Sequence, residues 1–256
     1  MLRDAQWNVL EPLLEQCRPR GKTPPKDLRR TIEAILWRHG NGAKWRSVPT
    51  ELGPWWRAAR DLYPLGSAGC LGAPVAPGAR AGREARDGLP GRHLHPRASE
   101  SRRCGSKRGS STERDRREAL GRSRGGYGTK ACVIADGAGR AIAFRLAPGQ
   151  AHELPQAIPL LASLPDVPKW VVADRGYTSH AFREHIWDMG ARPAIPPRRD
   201  EAPVACPDWI YINRNKVERL WARLKEWRAV ATRYEKTASS YMGVLCLAAA
   251  LDWLKP

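Results

Sequence analysis

The stretch Lys169-Trp170-Val171-Val172-Ala173-Asp174-Arg175-Gly176-Tyr177 decides the fold class of this chain. Its apolar run predicts a buried strand that ends in a carboxylate. A helix is predicted over His180–Met189 and another short strand over Ala191–Ile195, so strands and helices alternate. This pattern predicts an α/β fold with a mixed sheet. Asp174 then lies at the carboxyl end of a strand, where such folds bind ligands, although a plain N-cap or turn residue is the alternative.

The segments on both sides continue the α/β pattern. Upstream, strands are predicted over Tyr127–Ala135 and Arg140–Ala147, joined by a hairpin turn at 136–139, and a helix over Leu154–Leu164 follows. Downstream, helices are predicted over 212–228 and Thr237–Leu254. Residues 113–256 are therefore expected to form one α/β domain.

Residues 1–58 predict a separate, small helical domain. A helix over 4–17 carries one apolar stripe, and a second helix begins after Asp27 and ends at Gly40-Asn41-Gly42. A basic turn joins them. This arrangement resembles the start of a helix-turn-helix and favours DNA contact, with a small helical cap as the alternative.

Composition and charge exclude several classes of protein. Lys and Arg total 44 and Asp and Glu total 26, which gives a net charge of +18 and favours a polyanionic partner. The longest apolar run, Val244–Leu251, is far shorter than the ~20 residues of a membrane span. Six cysteines without a CxxC spacing indicate reduced thiols in a cytoplasmic chain. We therefore set aside secreted, membrane, disulfide-rich and zinc-ribbon proteins.

The segment around Glu218 carries the strongest sign of chemistry. On a helix, Tyr211, Arg214, Glu218 and Lys225 fall within about 60° of one another, opposite the apolar stripe. Surface helices often carry solvated charged faces, but here a single acid lies among many basic residues. Such a face favours a polyanion. Asp and Glu from separate elements can also bind Mg²⁺, which activates phosphodiester chemistry.

The series Tyr211-x₂-Arg214-x₃-Glu218-x₆-Lys225, together with Ala173–Tyr177, resembles the DDE transposases of bacterial insertion sequences. The match is to the insertion-sequence-five family within the insertion-sequence-four superfamily. Further stretches resemble the same family in the same order: Trp45-Arg46 with Pro49, Arg122-Ser-Arg-Gly-Gly126, Thr129-Lys130 and Pro148–Glu153. The resemblance covers residues 1–58 and about 113–256.

The resemblance implies an RNase H-like catalytic domain over 113–256, preceded by a helix-turn-helix-like DNA-binding domain over 1–58. It also implies cleavage at terminal inverted repeats and strand transfer into target DNA, with Mg²⁺ or Mn²⁺ as cofactor. Asp174 and Glu218 would be the second and third metal-binding catalytic acids. His152 would be an accessory residue, or else a structural histidine. The residues carried over as DNA contacts are Tyr211, Arg214, Lys225, Arg219, Arg175, Arg122, Arg124 and Lys130.

Partners and location follow from the same resemblance. Double-stranded DNA, both inverted repeats and target, is the expected partner, and membranes are not. Transposition handles two DNA ends together, so we expect a homodimer on DNA. The expected location is cytoplasmic and nucleoid-associated.

Residues 59–112 depart from the family pattern. The family requires a first aspartate on a strand upstream of Tyr127, but Asp87, Asp115 and Asp136 do not follow such a strand. Residues 61–109 instead hold nine Gly, five Pro and eight Arg, a composition typical of a disordered basic linker.

A shift of reading frame accounts for the missing aspartate. Codons permitted for Gly88–Arg97, read one base later, spell Val-Phe-Leu-Asp-Gly-Thr-Ser-Ile-Arg, which is a buried strand ending in aspartate. That aspartate codon straddles Gly91 and Arg92. The shifted reading from residue 61 also permits a third amphipathic helix. We therefore hypothesise that residues from about 59 to about 104 are translated out of frame, as a mutation or a sequencing error. The apparent metal pair His93 and His95 would then be accidental, as would the thiols of Cys70 and Cys104.

The sequence thus predicts a transposase by descent that is inactive as written, because one of three acids is missing. The main alternative is a non-catalytic DNA-binding remnant of a transposase. A nuclease of the same fold that hydrolyses without joining strands is a second alternative, and a basic structural protein is a third. A helix-turn-helix repressor would leave the α/β portion unexplained.

Overall fold

A computed structural model of the chain describes residues 2–16, 25–60 and 111–255, together with the backbone of residues 89–90. Most of the Gly/Pro/Arg-rich segment, and with it the expected disorder and Asp87, Cys70, Cys104, His93 and His95, lies outside the described residues. In the described part, no helix is long and apolar enough to cross a membrane.

The N-terminal part consists of short helices. Helix α1 spans Asp4–Gln16 and α2 spans Leu28–Asn41, followed by 3-10 turns at Trp45–Ser47 and Thr50–Leu52. Asp27 caps α2 by accepting a hydrogen bond from the Arg30 amide at 2.9 Å. Gly42 ends α2 at φ 61°, where glycine is favoured. Residues 55–60, α3, are also helical.

Strand β3, Gly126–Ala135, is the longest strand and pairs with three others. Strand β4, Ala141–Pro148, runs antiparallel to it along almost its whole length, and β2, Gly121–Ser123, pairs with its first residues. A separate parallel pair is formed by β5, Trp170–Val172, and β6, Arg192–Ala194. The mixed α/β architecture expected from the sequence is therefore confirmed.

Residues 89 and 90, which belong to the anomalous segment, lie at the middle of this arrangement. Strand β1, Leu89–Pro90, pairs antiparallel with β3, with Leu89 opposite Ala135 and Pro90 opposite Ile134. Its Cα atoms also come within 8 Å of β5 and of the helix that carries Glu218. The order of neighbours across the molecule is thus β4, β3, β1, β5, β6.

Helices cover both faces of these strands. The helices are α4 (Ser111–Arg117), α5 (Leu154–Leu161), α6 (His180–Asp188), α7 (Asp208–Tyr211), α8 (Asn215–Lys225), α9 (Arg228–Ala231) and α10 (Ala238–Trp253). Side chains of β3 alternate between two hydrophobic cores. Val133 faces a core shared with α8 and α10, and Ile134 faces a core shared with α5 and α6.

Helix α10 is apolar around its whole circumference because it is buried on two sides. Val244 and Ala248 belong to the core beneath the sheet, whereas Leu247 and Ala250 belong to the core formed with α1 and α2. The N-terminal helices therefore share their core with the last helix of the chain.

A buried ion pair reinforces this junction. The Arg38 guanidinium on α2 donates from Nη1 to Oε1 of Glu235, and both side chains are almost inaccessible to solvent. The same guanidinium stacks on the Trp45 ring at 4.6 Å. His39 lies next to it, 2% exposed, and contacts the edge of Trp45. Burial, with the charge of Arg38, lowers the pKa of His39 to about 3.

We expect His39 to make stability depend on pH. The folded chain keeps the ring neutral, while the unfolded chain binds a proton below about pH 6.5, so stability is lost as pH falls from about 6.5 toward 3. Between pH 6.5 and pH 5, the free energy of unfolding measured with urea should fall by about 1.5 kcal/mol more in the parent than in His39→Phe. A control, His180→Gln, removes an exposed histidine and should keep the parent's dependence. An equal pH dependence in His39→Phe would contradict this account.

Candidate active site

Asp174 begins a 3-10 turn immediately beyond β5. Its Oδ1 accepts a hydrogen bond from the Gly176 amide at 2.9 Å and caps the turn Arg175–Tyr177. Tyr177 is buried beneath it, and burial, with the nearby charges of Cys132 and Asp174, raises the pKa of this phenol. Asp174 therefore has the N-cap role that the sequence left open as the alternative to ligand binding. This cap fixes the Asp174 carboxylate at the end of the strand.

Glu218 lies on the first turn of α8 and is partly exposed. Arg214, one turn earlier, donates from Nη1 to Oε1 of Glu218 at 2.7 Å. The predicted single helix over 212–228 is wrong in detail, because residues 212–214 form a 3-10 turn, α8 spans Asn215–Lys225 and α9 begins at Arg228. That turn leads Arg214 into α8, where it forms the ion pair with Glu218 four residues on.

Tyr211 connects the two acidic positions. Burial is the main cause that raises the pKa of its phenol, while the positive charge of Arg214 lowers it and the negative charge of Asp174 raises it. The phenol is thus within electrostatic reach of Asp174 and Arg214, and Arg214 is itself paired with Glu218.

Glu153, which the sequence did not single out as a site residue, adds a further acid near Asp174. A Cβ atom at Gly176 would lie 2.9 Å from Oδ1 of Asp174 and 3.9 Å from Oε2 of Glu153, so both carboxylates flank the same glycine. Lys130 Nζ donates to the Ala151 carbonyl at 2.5 Å and lies 3.8 Å from Oε1 of Glu153. The one feature of the sequence that could have indicated Glu153 as a site residue is its position directly after His152 in a family-like stretch.

The predicted basic residues divide into buried and exposed groups. Lys130 is only 8% exposed, and burial lowers the pKa of its ammonium group. The ammonium group faces the loop that ends at Glu153. His152, expected as an accessory or structural residue, lies exposed on that loop. The exposed predicted DNA contacts are Arg122, Arg124, Arg175, Arg219 and Lys225.

Two further cations of α8 hold the β3–β4 hairpin. Lys216 Nζ donates to the Gly137 carbonyl, and Arg223 donates to the Gly139 carbonyl at 2.7 Å and to Asp252 at 2.9 Å. Because Lys216 and Arg223 are bound to protein groups, α8 exposes fewer unpaired basic side chains than the sequence indicated. Arg214 is also neutralised by Glu218.

The described acids do not form a complete metal site. In the part of the chain that the structure describes, His, Cys, Asp and Glu do not gather in threes that could hold a metal ion. Asp174 and Glu218 offer the oxygen donors that Mg²⁺ and Mn²⁺ prefer. They are nevertheless one carboxylate short of the three acids that the sequence resemblance implies.

In the described part of the chain, Cys132, Cys206 and Cys246 form no disulfide. Burial raises the pKa of Cys132 to about 11, so this thiol is protonated at neutral pH.

Comparisons with known proteins identify the family. Residues 171–255 match a family described as Transposase DDE domain, and this stretch includes Asp174, Tyr211, Arg214, Glu218 and Lys225. Residues 2–73 match a family of IS4/5 transposases.

Two relatives support the same assignment. A protein of Brucella ovis named as a transposase for insertion sequence element IS6501 is 33% identical over 131 residues, which cover 50% of this chain and 98% of the relative. One of Burkholderia cepacia, named for insertion sequence element IS402, is 29% identical over 212 residues, covering 76% of this chain and 93% of the relative. The chain belongs to the insertion-sequence transposases of the IS4/5 group, which confirms the family expected from its motifs.

We predict that Lys130 orders the loop beside Asp174. In Lys130→Met, the Ala151 carbonyl loses a charged donor, which should lower the free energy of unfolding by about 1.5–3 kcal/mol. Hydrogen exchange should then speed up at residues 150–153 and 174–177. Lys236→Met removes an exposed lysine and should change neither quantity. Unchanged exchange in the loop of Lys130→Met would show that the lysine does not hold it.

Proposed function

We propose that this chain is a DNA transposase with an RNase H-like catalytic domain that retains DNA binding but has lost DNA cleavage. The pairing of β1 with β3, beside β5, carries this proposal. The family's first metal-binding aspartate is expected at the end of a strand in this central position. A one-base-shifted reading of permitted codons 88–92 allows an apolar strand and an aspartate at this place.

The residues that now form β1 suit a central strand poorly. Proline has no amide hydrogen to donate and is found in sheets mainly at edges or strand starts. Pro90, however, lies opposite Ile134 of β3 with β5 on its other side. This mismatch supports the hypothesis that the segment is read out of frame.

Asp174 and Glu218 are proposed as the remaining metal-binding acids. A divalent cation, Mg²⁺ or Mn²⁺, would activate the attacking oxygen and stabilise the leaving one. Arg214 donates one of its N–H groups to Glu218, so a DNA phosphate bound by this guanidinium would share it with the carboxylate or displace the carboxylate.

The exposed cations Arg175, Arg219 and Lys225 lie on the same two elements as the acids and would hold DNA phosphates electrostatically. Such binding needs neither metal nor acids, so it should survive the loss of the first aspartate. Handling of two ends by a dimer on DNA is part of the same proposal.

The proposal is tested by restoring the reading frame. The gene is sequenced across codons 55–112, and a protein is prepared in which residues 59–104 follow the shifted frame. With Mg²⁺ and DNA carrying both ends of the element, the restored protein should cut, and the present chain should cut at less than about 1% of that rate while still binding DNA. Glu218→Gln in the restored protein is the matched control and should bind without cutting.

Several outcomes would contradict the proposal. A shifted frame that does not spell the strand and aspartate would refute the frame hypothesis. Robust cutting by the present chain would refute its inactivity. Cutting by the restored protein without transfer of a labelled end into a second duplex would instead favour a nuclease.

A further inference from the structure

Asp174 lies in a short loop that is tethered on both sides to the same neighbouring strand. Before it, the Ala173 amide donates to the Ala194 carbonyl at 3.3 Å, which extends the pairing of β5 with β6. After it, Thr178 Oγ1 donates to the Pro196 carbonyl at 2.9 Å. The carboxylate is therefore held between two hydrogen bonds to residues 194 and 196, at the end of β6.

Thr178 joins the turn that carries Asp174 to helix α6. Its amide donates to the Arg175 carbonyl at 3.2 Å and closes the turn, and the next residue, Ser179, caps α6. Thr178 is only 3% exposed, so its hydroxyl is shielded from bulk water. A β-branched side chain has few rotamers, so the bond to Pro196 fixes the position of the backbone that carries it.

The Pro196 carbonyl does not depend on Thr178 alone for a donor. Arg183 of α6 donates from Nη2 to the same carbonyl at 3.4 Å and to the Ile195 carbonyl at 3.3 Å. A variant without the hydroxyl therefore still satisfies the buried acceptor and should fold. What the hydroxyl adds is a tether between the turn and the end of β6.

The other contacts of the turn do not replace this tether. The bond from the Gly176 amide to Asp174 Oδ1 lies within the turn, so it orients the carboxylate on the turn but not the turn on the sheet. Tyr177, 2% exposed, packs into the core shared by β3, α5 and α6. Apolar packing is non-directional, whereas a hydrogen bond has a preferred length and angle. Thr178 thus supplies the directional contact after Asp174.

We propose that Thr178 is a positioning residue for the reaction at Asp174, because its hydroxyl holds the turn, and with it the carboxylate, against the end of β6. Thr178 is buried and acts through the turn alone. Its role rests on the proposed function, which assigns Asp174 to metal-dependent cutting of DNA. Since displacement of a catalytic group by about 1 Å can slow chemistry about 100-fold, loosening the turn should slow cutting without weakening DNA binding.

The first measurement is amide hydrogen exchange in the present chain. Thr178→Val keeps the branched shape of the side chain and removes the hydroxyl, so the Gly176 and Tyr177 amides should exchange about fivefold faster than in the parent. Thr178→Ser retains the hydroxyl and should exchange like the parent. Unchanged exchange at residues 131–135 of β3 in both variants verifies that the sheet is intact.

The second measurement compares cutting with DNA binding in the protein whose reading frame is restored. With Mg²⁺ and DNA carrying both ends of the element, Thr178→Val should lower the single-turnover cutting rate roughly 10- to 100-fold while the Kd for DNA stays within about twofold. Thr178→Ser should recover most of the rate. Thr31→Val is the matched control, since the Thr31 hydroxyl donates to the Asp27 carbonyl at 2.9 Å in α2, and it should cut like the restored parent.

The outcomes separate this inference from the proposed function. Parent-like cutting by Thr178→Val would overturn the positioning role and leave the proposed function standing. Equal losses in Thr178→Ser and Thr178→Val would overturn the role of the hydroxyl, and a parallel loss of DNA binding would indicate general damage to the fold. A restored parent that does not cut would overturn the proposed function, and the exchange measurement in the present chain then decides the tether by itself.

Discussion

The complete burial of β3 is the constraint on which the rest of the structure depends. From Gly128 to Ala135 every residue is buried, so both faces of the strand need apolar partners and both edges need hydrogen-bonding neighbours. Helices α8 and α10 cover one face, and α5 and α6 cover the other. The acid-bearing elements are thereby held in place: α8 carries Glu218, and β5 leads to Asp174.

The edge of β3 beside β1 has the poorest hydrogen-bonding neighbour among the described residues. Only Leu89 and Pro90 are described there, and Pro90 cannot donate to the ladder. Among the described residues, those that form the neighbouring cores lie outside the anomalous segment.

Local patterns in the sequence predicted most of the α/β part. The strands around residues 126–148 and 170–194 were predicted within a few residues, since continuous apolar runs bounded by turn residues are strong local signals. The division between α7 and α8 was missed because the periodicity continues through the 3-10 turn. The inward position of Lys130 and the structural use of Lys216 and Arg223 depend on carbonyl groups far away in the chain, which no local pattern specifies.

Helix α10 ties the two ends of the chain into a single folding unit. Helix α10 contributes residues to the core beneath the sheet and to the core formed with α1 and α2. Unfolding of either core would therefore expose α10 and destabilise the other core. Heat or denaturant should therefore take the described parts of the molecule apart in one cooperative transition. The N-terminal helices are therefore expected to unfold together with the rest of the described chain and not on their own.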